Sequence, residues 1–347
     1  MSSSPRKTFK NPRARHNYQG RPCSIVGVGS YVPSRVLANP ELERMVDTSD
    51  QWIITRTGIR ERRVASPEEA TSDLAAQAAR RALAHAGVSP EQVDLLITAT
   101  VTPDMLFPST SCLVQEKIGA SRAAAFDLEA ACSGFIYALE VGQQFIMSQT
   151  YDTVLVIGAE KLTSIVDWTD RNTCVLFGDG AGAAVLQHRP GSHGLLTVCM
   201  GADGSKGNVL CVPAGGSRLP ASYETVEKRL HFVQQEGGSV FKFAVKNTEE
   251  ICRRILEKNG LTGADVDLFV SHQANRRIID SAADRLGMDP AKVVINIERF
   301  GNTTAATIPL ALQDAISDGR LKKGDLVLLA SVGAGFTVGS VLLRWAY

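Results

Sequence analysis

From Cys23 onward, short β-branched apolar runs alternate with stretches whose apolar residues recur every three to four positions. That alternation is the signature of layered α/β structure. Ser24–Gly29 (SIVGVG) reads as a first strand, and Ser72–Ala86 (SDLAAQAARRALAHA) as an amphipathic helix with Leu74, Ala78, Leu83 and Ala86 near one face. The pattern then predicts a strand over Val93–Thr98, a helix over Ser109–Ile118 and a strand over Ala124–Leu128. A helix over Gly134–Met147 and a strand over Val154–Ile157 follow, leading into a Gly-rich stretch, Phe177–Leu186. Later in the chain, Leu268–Ser271 reads as a buried strand and Ala305–Ile316 as a helix.

The order repeats. Gly87–Ile97 (GVSPEQVDLLI) matches Gly260–Val270 (GLTGADVDLFV), with Gly, Val, Asp and Leu in register at an offset of 173 residues. Val154–Ile157 (VLVI) and Val327–Ala330 (VLLA) lie at the same offset. Two strand motifs at one shift of half the chain indicate a duplicated unit, with halves over 21–190 and 191–347 and the chemistry expected where they meet. The segment 1–20 stands apart: five basic residues, three serines, no acidic one and no apolar signal core. It reads as a solvated extension, with organelle targeting the minor reading.

The 347 residues are 44% hydrophobic and 21% charged, as in an ordinary globular protein. Lys and Arg number 37 against 36 Asp and Glu, so nothing points to nucleic acid as partner. No run reaches the roughly 18 apolar residues of a membrane span, and a cytoplasmic protein is expected. Seven scattered cysteines without a C-x-x-C pair suit reduced thiols rather than a disulfide scaffold or a metal centre. Gly27-Val-Gly29 lacks a third glycine, and Gly178-Asp-Gly180-Ala-Gly182 lacks the Lys-Ser/Thr of a phosphate loop. Tight turns and close helix–strand packing account for both, and no NAD or ATP is expected.

Of the cysteines, Cys132 alone follows a strand and a small-residue turn (Glu129-Ala-Ala131) and precedes a long helix. A thiol there is presented to the helix N-terminus, whose free amides and dipole favour thiolate. Of six histidines, only His272 ends a predicted buried strand and opens a polar turn; capping of the next helix is its other reading. Asn302 stands at the mouth of the Ala305–Ile316 helix, where Asn serves by default as an N-cap. Three such side chains at strand–helix junctions of a duplicated fold make a candidate site.

Taken together, Val46–Arg62 (VDTSDQWIITRTGIRER), Ala130–Phe135 (AACSGF), Phe177–Gly182 (FGDGAG), His272–Arg277 (HQANRR) and Gly301–Ala306 (GNTTAA) resemble the thiolase-fold condensing enzymes. The match is closest to the β-ketoacyl-acyl-carrier-protein synthase III family of type II fatty-acid synthesis, and it runs from about residue 22 to 347. The resemblance implies a five-layered α-β-α-β-α fold, a homodimer, acetyl-CoA and acyl-carrier protein as partners, and no cofactor beyond the CoA thioester substrate. It implies Cys132, His272 and Asn302 as the catalytic triad, with the amides of Cys132 and Ala334 as oxyanion hole. Trp52, Arg56 and Arg171 correspond to CoA-binding positions, and Phe107 and Val332 to the acyl pocket. Gln273, Ala274, Asn275, Arg276, Arg277 and Lys242 correspond to the carrier-protein docking surface.

Departures from the family pattern are Val332 where Phe is frequent, Val338 where Trp is, and Asp284-Arg285 where a Lys pair sometimes stands. They leave a specialised initiator of branched or longer acyl-CoA as the alternative activity. A silent partner subunit is a remoter one, since the nucleophile is present.

Overall fold

The computed structural model describes residues 21–191 and 193–347; the basic extension read over 1–20 lies outside the described residues. Among these residues the first half forms a five-stranded sheet. Its order is Cys23–Tyr31, Asp179–His188, Thr153–Lys161, Leu95–Ala99, Ala124–Leu128. The second half forms a four-stranded sheet in the order Gly194–Ala202, Thr337–Arg344, Leu326–Gly333, Leu268–Ser271. Each strand of the second sheet occupies the place of its counterpart in the first, and an isolated parallel bridge from Phe269 to Val293 marks the fifth position.

The 173-residue offset read from the sequence is the offset of the structure. Leu95 pairs with Val154 and Leu268 with Val327, both parallel and in the same register. The 3-10 turns Ala131–Ser133 and Thr304–Ala306, and the helices Gly134–Met147 and Thr307–Ser317 that follow them, start at the same spacing. Backbone φ is positive at Ala131 (46°) and at Thr304 (49°), so even the kink that enters each helix is repeated.

Burial orders the layers. Helices Thr71–Ala86 and Thr110–Ile118 pack on the outer face of the first sheet with Leu96, Leu155, Ala183 and Val185. Helices Gly237–Lys258 and Arg276–Arg285 cover the outer face of the second with Phe269, Leu328 and Leu342. Between the sheets lie the two central helices, Gly134–Met147 and Thr307–Ser317. Phe135, Leu139, Ile308 and Leu312 join apolar residues of both halves in one core. The five-layered α-β-α-β-α thiolase-like architecture is therefore as expected. A fourth cluster, outside the layers, packs Leu42, Ile53, Val175, Phe177 and Ile297 beside the half-buried Trp52 and Trp168.

Of the two explanations the sequence offered for its Gly-rich segments, close helix–strand packing is the one the structure shows. Gly27 and Gly29 lie inside the first strand, and Gly180 and Gly182 inside Asp179–His188. What requires glycine is the approach of a helix. A Cβ at Gly29 would sit 2.2 Å from the Ala82 amide nitrogen, and one at Gly182 2.6 Å from Pro309 Cβ. The alanine-rich face of Thr71–Ala86 is the other half of that fit: Ala75, Ala78, Ala79 and Ala82 are buried where longer chains would hold helix and strand apart.

Candidate active site

Cys132 sits in the middle of its 3-10 turn, immediately before the first central helix, and is 8% exposed. The second half holds this turn from behind. Ser331 Oγ donates to the Cys132 carbonyl (2.7 Å), and Thr337 Oγ1 to the carbonyl of Ala130 (2.9 Å). Gly333 faces the same turn: a Cβ there would lie 2.8 Å from the Cys132 nitrogen and 3.1 Å from that of Ser133. Bare backbone at Gly333, followed by Ala334, thus borders the amide side of the cysteine.

His272 leaves the end of strand Leu268–Ser271, with its own amide bonded to Ala330 O at 2.8 Å. It does not cap the next helix. Asn275 does, its Oδ1 accepting from the Arg277 amide (2.9 Å) while its Nδ2 donates to the carbonyl of Arg56 (2.9 Å). The buried His272 ring instead meets the second central helix, with Nδ1 2.7 Å from Thr307 Oγ1. Asn302 accepts the Thr304 amide at its Oδ1 (2.9 Å), an Asx turn one residue before the N-cap Thr303, and so is not the N-cap its position suggested. Its backbone lies along Phe177–Gly178, with Asn302 N donating to Leu176 O (2.8 Å) and Gly178 N to Asn302 O (3.1 Å). Gly178 is needed there, because a Cβ would come 2.5 Å from Phe300 O. Buried Arg62 braces the loop from the far side, its guanidinium bonded to Leu37 O, Asn39 Oδ1 and Val175 O.

Two residues of one turn therefore bear on all three candidates. Thr304 offers its amide to Asn302 and its hydroxyl favours ionisation of the Cys132 thiol, and Thr307 meets His272. The threonines were missed in the sequence. The one signal for them was the 173-residue offset, which places Thr304 opposite Ala131 and Thr307 opposite Gly134.

Burial sets the electrostatics. It pushes the Cys132 thiol up to about 12, and the nearby Glu160 carboxylate adds to the rise, against hydrogen bonds from Thr304 and from its own amide. Burial holds His272 down at about 3, so the imidazole is neutral. Glu160 is pushed up to about 8 by burial, although the hydroxyls of Thr100 and Thr102 and the amides of Val101 and Thr102 all bond to it. Burial thus opposes the thiolate suggested by the helix N-terminus alone and favours the neutral imidazole.

The other expected positions divide. Trp52 stands on the Ser49-capped helix Asp50–Thr57, and the Arg171 guanidinium lies over its ring at 4.9 Å, itself 3.3 Å from Asp47. Arg56 is exposed one turn further along the same helix. Arg276 is exposed and paired with Asp280, and Arg277 lies over Phe241 at 4.9 Å beside exposed Lys242. Ala274 and Asn275 are half-buried between them and the strand end. Gln273 does not belong to that surface. It is 1% exposed, with Nε2 donating to Ser271 O and Val294 O and Oε1 accepting from Asn296 N. A long amide there satisfies the backbone of two chain segments, so it is spent inside the protein.

Val332 also departs from expectation. Alternation along its strand turns Ser331 and Gly333 toward Cys132, and Val332 toward the outer core, across from Val338. Phe107 is 84% exposed at the tip of a loop with Leu106, also 84% exposed.

Comparison with known proteins agrees with this geometry. Models of the 3-oxoacyl-(acyl-carrier-protein) synthase III family match residues 126–204 and, for its C-terminal part, 256–345. The chain is 58% identical to a β-ketoacyl-(acyl-carrier-protein) synthase III of Symbiobacterium thermophilum, over 94% of this chain and 98% of that one. The crystal structure of 3-oxoacyl-(acyl-carrier-protein) synthase III from Aquifex aeolicus superposes with a TM-score of 0.86 at 48% identity, covering 93% of this chain and all of that one. The priming β-ketosynthase of the R1128 polyketide pathway superposes at 0.88 with 36% identity, covering 96% and 99%. The chain belongs to the β-ketoacyl-acyl-carrier-protein synthase III family, the condensing acyltransferases that act with acyl-carrier protein to initiate fatty-acid synthesis.

Proposed function

We propose that this enzyme joins an acetyl group from acetyl-CoA to malonyl-acyl-carrier protein through an acetyl-Cys132 intermediate. Cys132 sulfur attacks the thioester carbonyl, the C–S bond to CoA breaks, and the thiol proton leaves with CoA. The amides of Cys132 and Ala334 hold the oxyanion. Malonyl-acyl-carrier protein then loses CO₂, and the electron pair of the broken C–C bond becomes an enolate whose oxygen accepts from Asn302 Nδ2 and His272 Nε2. That carbanion attacks acetyl-Cys132, and the sulfur leaves as thiolate and takes a proton from water, giving acetoacetyl-acyl-carrier protein and the free thiol.

The observation that carries this reading is the single turn that anchors Asn302 and His272 and acts on Cys132 through Thr304. It engages Asn302 by Oδ1, leaving the amide donor Nδ2, and His272 by Nδ1, leaving Nε2. CoA adenine fits by parting Arg171 from Trp52, since both stack on planar rings, with Arg56 nearby for phosphate. Arg276, Arg277 and Lys242 supply positive charge for an acidic carrier. Phe107, exposed in one chain, is assigned to the acyl pocket of a second copy in a homodimer working in the cytoplasm.

Mass spectrometry after incubation with acetyl-CoA tests the reading. Wild type is expected to carry one acetyl group on Cys132, and Cys132→Ala none. His272→Ala and Asn302→Ala should still acetylate but lose condensation with malonyl-acyl-carrier protein by about 10²-fold or more. An adduct that persists in Cys132→Ala overturns the assignment. A panel of branched and longer acyl-CoAs, prompted by the likeness to a priming ketosynthase, decides the starter.

A further inference from the structure

We propose that Thr307 is a positioning residue whose hydroxyl donates to Nδ1 of His272 and so keeps the ring proton on Nε2, where the reacting thioester lies. The inference rests on the role proposed above for His272.

Thr307 has one hydroxyl hydrogen and two acceptors within reach: His272 Nδ1 at 2.7 Å and the Thr304 carbonyl at 3.0 Å. The choice fixes the tautomer. If the hydroxyl bonds Thr304, its oxygen must accept from an Nδ1–H, and Nε2 becomes a bare acceptor unable to stabilise an enolate. If it bonds the ring, Nδ1 is the acceptor and Nε2 carries the hydrogen.

Three observations favour the second arrangement. The Thr304 carbonyl already accepts the backbone amide of Thr307 and has no need of the hydroxyl. The ring nitrogen is the nearer of the hydroxyl's two partners, at 2.7 Å against 3.0 Å for the Thr304 carbonyl. The duplication supplies the third. The first half enters its central helix through an equivalent turn with Gly134 in the place of Thr307, so the turn itself requires no hydroxyl. Because burial keeps the imidazole neutral, one ring nitrogen is always bare, and a neighbour must select which.

The test compares Thr307→Val, which keeps the shape and removes the hydroxyl, with Thr307→Ser, which restores it. Nitrogen-15 NMR of histidine-labelled protein, with His272 identified by its loss in His272→Gln, reads the tautomer directly. Wild type and Thr307→Ser are expected to show Nε2–H, and Thr307→Val to move the proton partly or wholly to Nδ1. Condensation with malonyl-acyl-carrier protein should fall about 10- to 10²-fold in Thr307→Val and recover in Thr307→Ser. Acetylation of Cys132 should stay within about twofold in both, as it does not use the enolate donors.

An Nδ1–H tautomer in wild type overturns the proposal. So does a Thr307→Val enzyme that keeps Nε2–H, or a Thr307→Ser enzyme as impaired as the valine variant. Failure of wild type to acetylate or condense would instead sink the functional reading, and the spectra would still decide the tautomer.

Discussion

The Glu160 carboxylate bears on Cys132 from inside the protein, where water does not screen it. Its own protonation therefore decides how readily the thiol ionises. With the thiol at about 12 and the carboxyl at about 8, the signs give a specific pH profile. Thiolate should increase about tenfold per pH unit through the neutral range, and Glu160 should retard it only above about pH 8, once ionised. Alkylation of Cys132 by iodoacetamide should therefore run alike in wild type and Glu160→Gln near pH 6–7. Above pH 8 the wild type should fall behind. Curves that stay parallel to pH 9.5 would show that Glu160 does not act on the nucleophile. This level of the site was only half legible in the sequence. Cys132, His272 and Asn302 stand at junctions that name them. Glu160, Thr304 and Thr307 are ordinary residues made significant by packing, and Gln273 was hidden because nothing local shows which way a strand end turns.

Secondary structure was largely legible, and what local pattern left open is tertiary in cause. Ala124–Leu128 and Gly134–Met147 have the predicted bounds, because periodicity and small-residue breaks are local properties. The glycines of Cys23–Tyr31 and Asp179–His188 have a tertiary purpose, which local pattern alone does not separate from a tight turn: they admit a neighbouring helix. Gly29→Ala should accordingly be costly, since its Cβ meets rigid helix backbone at 2.2 Å. Relief by shifting the helix should cost about 1–3 kcal/mol or more, seen as a lower midpoint in thermal or urea unfolding. Gly216→Ala is the control, with nothing within 4 Å of the added carbon and an expected effect within about 0.5 kcal/mol. Equal stability of the two variants would mean that helix and strand are not held as close as described.

At the scale of the molecule, the duplication could be read from two short motifs, whereas the way its halves join could not. The central core draws apolar residues from both, Cys23 and Leu186 from one and Leu195 and Trp345 from the other. Each half alone would leave one side of its central helix bare. Residues 21–190 expressed alone should bind a hydrophobic dye and aggregate, and co-expression with 191–347 should restore a soluble, active pair. An isolated half with a cooperative melt and no dye binding would contradict the shared core. Synthesis adds a delay to this arrangement. The second central helix trails the first by 173 residues, about 10–35 s of translation at 5–20 residues per second. Through that interval the emerging first half has no partner for its inner face. The inner face of the first half is therefore apolar surface that must stay unaggregated until the second half is made.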